Sequence, residues 1–238
     1  ATVLTGANAD AIEDILLLNA GKQFTDGNRN TLENAAATAL ISGLDAVNVS
    51  TAALTPADIN FIEDYTTGTI TAAVTGGTKA LLLGASNKIN TLGRVHNLNI
   101  TLTEGSFNAA DLATLNSATS GTITVNSTVI TGAKTDVLAA YADDTIANLG
   151  NEAVTITGGI SVADFNTLAD DTSGIITATI TDTDAATLKN ITESGNNLTI
   201  TISDTTVTAA DIAAIDAKTS SLVTVSSTTI TGTNAELI

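Results

Sequence analysis

The feature that most constrains this chain is an internal repeat, clearest across residues 198–232, LTITISDTTVTAADIAAIDAKTSSLVTVSSTTITG. Its centre reads Thr208-Ala209-Ala210-Asp211, and the same slot reads Thr55-Pro56-Ala57-Asp58, Asn108-Ala109-Ala110-Asp111 and Ser161-Val162-Ala163-Asp164. A short polar residue followed three positions later by an acid is a helix-start signature. The cap side chain accepts an orphan amide hydrogen, and the acid is placed to reach back to the cap amide. Pro56, the one proline, falls at the first helical position, where its missing N–H costs nothing. Leu54, Phe107, Ile160 and Val207 precede the caps, and Ile59, Leu112, Phe165 and Ile212 follow at the staple position. Ile62, Leu115, Leu168 and Ile215 come three residues later and extend one apolar helical face. Ser/Thr-Gly pairs near 67–68, 120–121 and 173–174, and Ser220-Ser221 in the last copy, mark where these helices stop. Glycine there suits a left-handed C-terminal position.

The capping acids stand 53, 53 and 47 residues apart, at 58, 111, 164 and 211. After each helix comes an alternating segment of Thr with β-branched or small residues, around Ile70, Ile123, Ile176 and Val223. Period two of this composition predicts a strand. A second helix begins beyond Val74, Ile130, Ile180 and Ile230, and a second strand follows around Leu98–Leu102, Val154–Ile156 and Leu198–Ile202. One repeat is thus β-α-β-α, two strand–helix coils of about 25 residues each. The expected fold is α/β: a right-handed solenoid with a parallel sheet along one face, leucine-rich-repeat-like in architecture, since a parallel crossover is right-handed in nearly all cases. The expected inward residues are Ile70, Ile100, Ile123, Val125, Ile156, Ile200, Ile202, Val223 and Val225. A two-domain α+β protein is the alternative. The stretch from the helix stop to the next helix is three residues longer in copies two and four, so the pair of copies is a candidate for the true unit. The extra residues are expected as a loop or a longer second strand.

Residues 1–44 read as divergent N-terminal coils: strand 1–5, helix 8–19, a polar Gly/Asn stretch and helix 31–42. Residues 45–238 carry the four repeats as a single elongated unit with no linker. Leu4-Thr5-Gly6-Ala7-Asn8-Ala9 matches Ile230-Thr231-Gly232-Thr233-Asn234-Ala235, so both ends fall midway through a repeat. Neither end carries a polar capping element. The chain is therefore expected to be a window of a longer array or a protomer that stacks head to tail with other copies of itself.

The phrases TAADIAAIDAKTS and LVTVSSTTITGT resemble the β-strand-repeat segments of giant secreted or surface proteins of marine cyanobacteria and other bacteria. The resemblance covers about residues 45–238. It implies an extracellular or cell-surface setting, a structural or adhesive role, and no catalytic residues. The asparagine of the leucine-rich LxxLxLxxN pattern is replaced here by Ser/Thr, so only the architecture is similar.

Composition narrows the remaining classes. With 25 acids against eight Lys plus Arg, the chain carries a net charge of −17, which argues against nucleic acid and anionic membrane as partners. No apolar run approaches the roughly 20 residues of a membrane-spanning helix. There is no cysteine, and His96 stands alone, so thiolate or imidazole zinc chemistry has no ligand set. No GxSxG nucleophile motif and no glycine loop with a Walker-type lysine occurs. Aromatic residues, the usual sugar platform, make up 3%. The capping acids account for their own spacing as caps. A second acidic set, Asp143, Asp144, Asp170, Asp171, Asp182, Asp184 and Asp204, falls in loops or at helix ends. Calcium is the ion such loops would take, although no EF-hand or RTX nonapeptide is present; the competing reading is a solvated acidic edge. The expected function is a non-enzymatic structural module of a bacterial filament, surface layer or adhesin, and the alternative is a glycan- or protein-binding solenoid.

Overall fold

The computed structural model describes residues 3–4, 46–63, 68–74, 77–84, 89 and 94–236. The expected helices 8–19 and 31–42 lie outside the described residues. Within them the chain is mixed α/β, and every strand pair is parallel. Parallel pairing forbids tight hairpins, because each return needs a crossover of a dozen or more residues. The short helices predicted from the capping pattern supply those crossovers.

The chain forms two compact units that alternate along the sequence. The first holds residues 1–104, 113–126 and 145–147. Its sheet contains, in spatial order, β1 (Val3–Leu4), β2 (Ala46–Leu54), β3 (Thr69–Val74), β4 (Asn97–Leu102), β6 (Ile123–Val125) and β8 (Ile146–Ala147). The described helices α1 (Pro56–Glu63) and α2 (Lys79–Leu82) belong to it. The second unit holds 105–112, 127–144 and 148–238. Its larger sheet runs β13 (Val223–Val225), β11 (Asn197–Ile202), β10 (Ile176–Ile180), β9 (Ala153–Ile160), β7 (Val129–Ala133) and β5 (Ser106–Asn108). A two-stranded sheet pairs β12 (Thr206–Thr208) with β14 (Thr229–Thr231). Its helices include α4 (Lys134–Tyr141), α5 (Val162–Asp171), α6 (Ala185–Leu188) and α7 (Ala209–Asp216). The remaining helix, α3, spans Ala109–Ala118.

The registers expose a repeat longer than the capping acids alone suggest. Ile100 pairs with Ile123, and a hundred residues later Ile200 pairs with Val223. Phe107 pairs with Ile130, and Val207 with Ile230. The bridge His96↔Thr119 recurs as Asn196↔Thr219. The three extra residues of copies two and four are therefore a loop. They cut one continuous strand, as in β3 or β10, into two strands: β6 then β7, and β13 then β14. In β9 the change of register is made inside the strand. Val154-Thr155 pair with Ile176-Thr177, and Gly159-Ile160 with Thr179-Ile180, so β9 carries two more residues than its partner over the same span. Gly158, with φ at +88°, supplies the left-handed residue this bulge uses.

The core is a set of apolar columns. Of the expected inward residues, Ile70, Ile100, Ile123, Val125, Ile156, Ile200 and Ile202 are buried, whereas Val223 and Val225 are half-buried. The staple residues Leu54, Phe107, Ile160 and Val207 are buried, as are Ile59, Leu112 and Phe165. Ile212, in the last copy, is half-buried.

The helix-stop glycines serve a purpose different from the expected one. Gly121 and Gly174 are absent from the glycines of positive φ. A β-carbon on Gly121 would lie 2.4 Å from the Leu98 carbonyl oxygen, and one on Gly174 2.0 Å from that of Glu152. Close approach of the neighbouring strand's backbone, not a left-handed cap, demands glycine. Gly174→Ala is therefore expected to lower stability by about 1–3 kcal/mol, as overpacking does. Urea unfolding monitored by circular dichroism measures it, and an unchanged midpoint would show that the contact is slack.

Candidate functional site

The structure gathers its buried polar side chains at one place in the repeat, just ahead of the strands. Among the described residues the buried polar and charged set is Glu63, His96, Thr119, Ser127, Glu152, Thr172 and Asn196. Most of these fall into pairs on neighbouring chain segments. In the first pair the Thr119 hydroxyl donates to the carbonyl oxygens of His96 at 3.1 Å and Leu98 at 2.8 Å, and accepts from the amides of Leu98 and Gly121. Thr219 repeats this against Asn196 and Leu198. Thr172 makes the shorter version, donating to the Glu152 carbonyl at 3.3 Å and accepting from Gly174. One hydroxyl thus satisfies several backbone groups where adjacent strands begin, at a depth where an unmade hydrogen bond would cost about 1–3 kcal/mol.

The other member of each pair reaches the opposite way. Asn196 Oδ1 accepts from the Ile176 amide at 2.7 Å. His96 holds the same slot a hundred residues earlier, and its Nδ1 accepts from the Ile70 amide at 3.2 Å. Accepting there leaves the ring proton on Nε2, which lies 3.3 Å from Glu63 Oε1. Arg94 stands at the outer side of Glu63, its Nε 3.5 Å from the same oxygen, and also donates to the Glu63 carbonyl. Burial holds the His96 pKa below the ordinary histidine value, against the pull of Glu63. Glu152 fills the slot in the middle pair. Its carboxylate accepts from the amides of Gly150 and Asn151 and from the Tyr141 hydroxyl. Burial, with the carboxylate beside it, pushes the Tyr141 phenol well above its usual range. Thr119, Thr172, His96, Asn196 and Glu152 hydrogen-bond backbone groups, an arrangement that fixes register, whereas the buried Ser127 hydroxyl meets no hydrogen-bond partner among the described residues.

The capping acids behave as expected in part. Ser161 Oγ accepts from the Asp164 amide at 3.2 Å and Thr208 Oγ1 from the Asp211 amide at 3.0 Å. Asn108 accepts from Ala110, one residue nearer than the pattern implies. The Asp164 and Asp211 carboxylates lie beside the Ser161 and Thr208 cap hydroxyls and also reach outward. They meet Lys134 Nζ at 2.5 Å and Lys189 Nζ at 2.7 Å, lysines of the preceding helical segment. These contacts hold both carboxyls below the usual range.

The expected calcium loops divide by role. Asp182 Oδ2 accepts from the Val162 amide and Asp204 Oδ2 from the Ala185 amide, both at 2.7 Å. Each caps a helix about twenty residues earlier in the chain, where aligned peptide dipoles favour an anion. Glu104 does the same for Lys79 at 2.8 Å. Asp184 caps its own helix through the Thr187 amide, a bond that lowers its pKa. Asp143 is half-buried and Asp144 exposed beyond the end of α4. Asp170 and Asp171 end α5 and, with Glu193, line an open cleft of about 520 Å³ whose walls include Gly150, Ile175 and Asn196. Among the described residues no three acidic or imidazole side chains are grouped so as to hold a metal ion, and no helix is long and apolar enough to cross a membrane.

No protein-family model matches the chain, and no curated protein or solved structure is significantly similar to it.

His96 carries a pH prediction. Its folded pKa is depressed, so below about pH 6.5, the ordinary histidine value, the unfolded chain binds a proton that the folded chain refuses. Stability is lost as pH falls through that window, until the lowered folded pKa is reached. His96→Asn puts in the slot the residue that already works at Asn196. It should melt near the parent at pH 8 and lack the parent's extra loss between pH 7 and 5. Equal slopes for both proteins would contradict the assignment.

Proposed function

We propose that this chain is a non-enzymatic structural repeat module of a bacterial extracellular filament, surface layer or giant adhesin, continuing end to end with its like. In this reading the parallel ladders are the faces of a right-handed, leucine-rich-repeat-like solenoid of strand–helix coils, residues 1–44 are its divergent first coils and 45–238 its four repeats. The observation that carries the reading is the self-pairing of the repeat: the same registers recur a hundred residues apart. Thr119, Thr172, His96 and Asn196 support it, since each binds the backbone of a neighbouring segment. So does the resemblance of the repeat phrases to surface-protein segments. A stack built this way has no inherent end, which suits an array and gives a catalytic pocket no reason to exist. The cleft beside Asp170, Asp171 and Glu193 favours a second reading, a module that binds a glycan or protein through one face. A panel of immobilised glycans and peptides separates the two readings: saturable binding by the isolated chain favours the module.

Calcium enters the proposal chiefly as a counterion. Asp182, Asp184 and Asp204 already accept amide hydrogens. The loops carrying Asp143, Asp144, Asp170 and Asp171 are where we place a divalent ion, on a chain whose charge of −17 repels itself. Small-angle scattering with parallel melting curves, in calcium and then in chelator at matched ionic strength, tests both parts. The expected result is a rod-like profile and a higher melting temperature in calcium. A compact profile removes the solenoid, and melting that follows ionic strength alone removes the ion.

A further inference from the structure

The hundred-residue repeat sets the last strands beside counterparts within the chain. Within the chain, β6 is covered by β8, through Ile123↔Ile146, and β7 by β9, through Ile130↔Val154. Their counterparts β13 and β14 each end a sheet, with no further strand beside them among the described residues. Burial follows pairing. Ile130 is fully buried, whereas Ile230 in the same slot is 46% exposed. Ile123 and Val125 are buried, and Val223 and Val225 only half so. An apolar parallel edge of this kind is a template for another strand, and natural proteins otherwise blunt such edges with charge or proline. Residues 222–231, Leu-Val-Thr-Val-Ser-Ser-Thr-Thr-Ile-Thr, contain neither.

Resting on the proposed end-to-end reading, we infer that the outer edge of β14 receives β1 of a second copy of this chain, in parallel, with Thr229 opposite Val3 and Ile230 opposite Leu4. The internal columns set this register. Phe107, Ile130 and Val154 occupy one column on successive strands, and Val207 and Ile230 begin the same column in the last sheet. Leu4 pairs with Val47 and, by the match of residues 4–9 to 230–235, belongs to that column. Among the described residues β1 has β2 on one side and ends its sheet on the other. Joining the two edges sets the backbone of Leu4 opposite Ile230, as Val154 stands opposite Ile130, and keeps every pairing parallel. Backbone hydrogen bonds would hold the strand, and the apolar column would choose its register. The contact is heterologous, so each copy keeps one edge to offer onward.

The chain contains no cysteine, so introduced cysteines report without background. In the full chain carrying Thr229→Cys and Val3→Cys, mild oxidation at high concentration should give a ladder of disulfide-linked oligomers on a non-reducing gel. Thr229→Cys with Ala46→Cys should give at most a small fraction of that yield. Adding Ile230→Lys to the productive pair should reduce cross-linking at least tenfold while circular dichroism stays that of the parent. If that lysine unfolds the protein, the comparison of the two cysteine pairs decides alone. Cross-linking through Ala46, a disulfide confined to the monomer, or yields equal for both pairs would overturn the register. Filaments seen by electron microscopy without the Val3–Thr229 cross-link would overturn this inference and leave the structural reading standing. A chain that neither cross-links nor associates, and scatters as a compact particle, would remove both.

Discussion

Parallel pairing between segments about 23 residues apart is the constraint on which the rest of the structure depends. A parallel strand has no partner nearby in sequence, so its amides are satisfied only when the next segment has crossed over and returned. The sequence meets this with brief helices started by strong caps and with strands too short to stand alone. Ile123–Val125 and Thr229–Thr231 are three residues each. Every segment therefore needs its neighbours, and stability becomes a sum of contacts between adjacent segments. The thin aliphatic core follows. Columns such as Phe107, Ile130 and Val154 repeat one small packing solution, and a chain with 3% aromatics has material for that.

Register in such a stack needs a marker, because strands of alternating Thr and Ile could slide by two residues and keep the same faces. The buried polar pairs provide it. Slipping Thr219 against Leu198 would break the bonds its hydroxyl makes to that residue's amide and carbonyl. Asp182 and Asp204 act likewise at the helix starts, each tying one segment to the helix before it. Much of the polarity of Thr219, Asp182 and Asp204 is in this sense structural.

The sequence made the helices, strands and inward columns legible, because capping boxes and period-two alternation are local signals. Two features were harder to read. The glycines at 121 and 174 looked like helix stops, but the carbonyl they avoid belongs to a segment some twenty residues away. Asp182 and Asp204 looked like loop acids because the amide each one meets is equally remote. A signal was present all the same. Leu102-Thr103-Glu104, Ile180-Thr181-Asp182 and Ile202-Ser203-Asp204 each place an acid two residues after a buried strand residue. Likewise Thr119-Ser120, Thr172-Ser173 and Thr219-Ser220 repeat a threonine directly before the helix-stop serine.

Native-state amide hydrogen exchange tests most directly the claim that contacts between neighbouring segments hold the fold. The amides of Leu98, Ile176 and Leu198 each donate to a side chain of the next segment. They should exchange with the slow core, and protection should fall toward β13 and β14 in the order of their exposure. Rapid exchange at Leu98, Ile176 and Leu198, or uniform protection out to Thr231, would contradict the account.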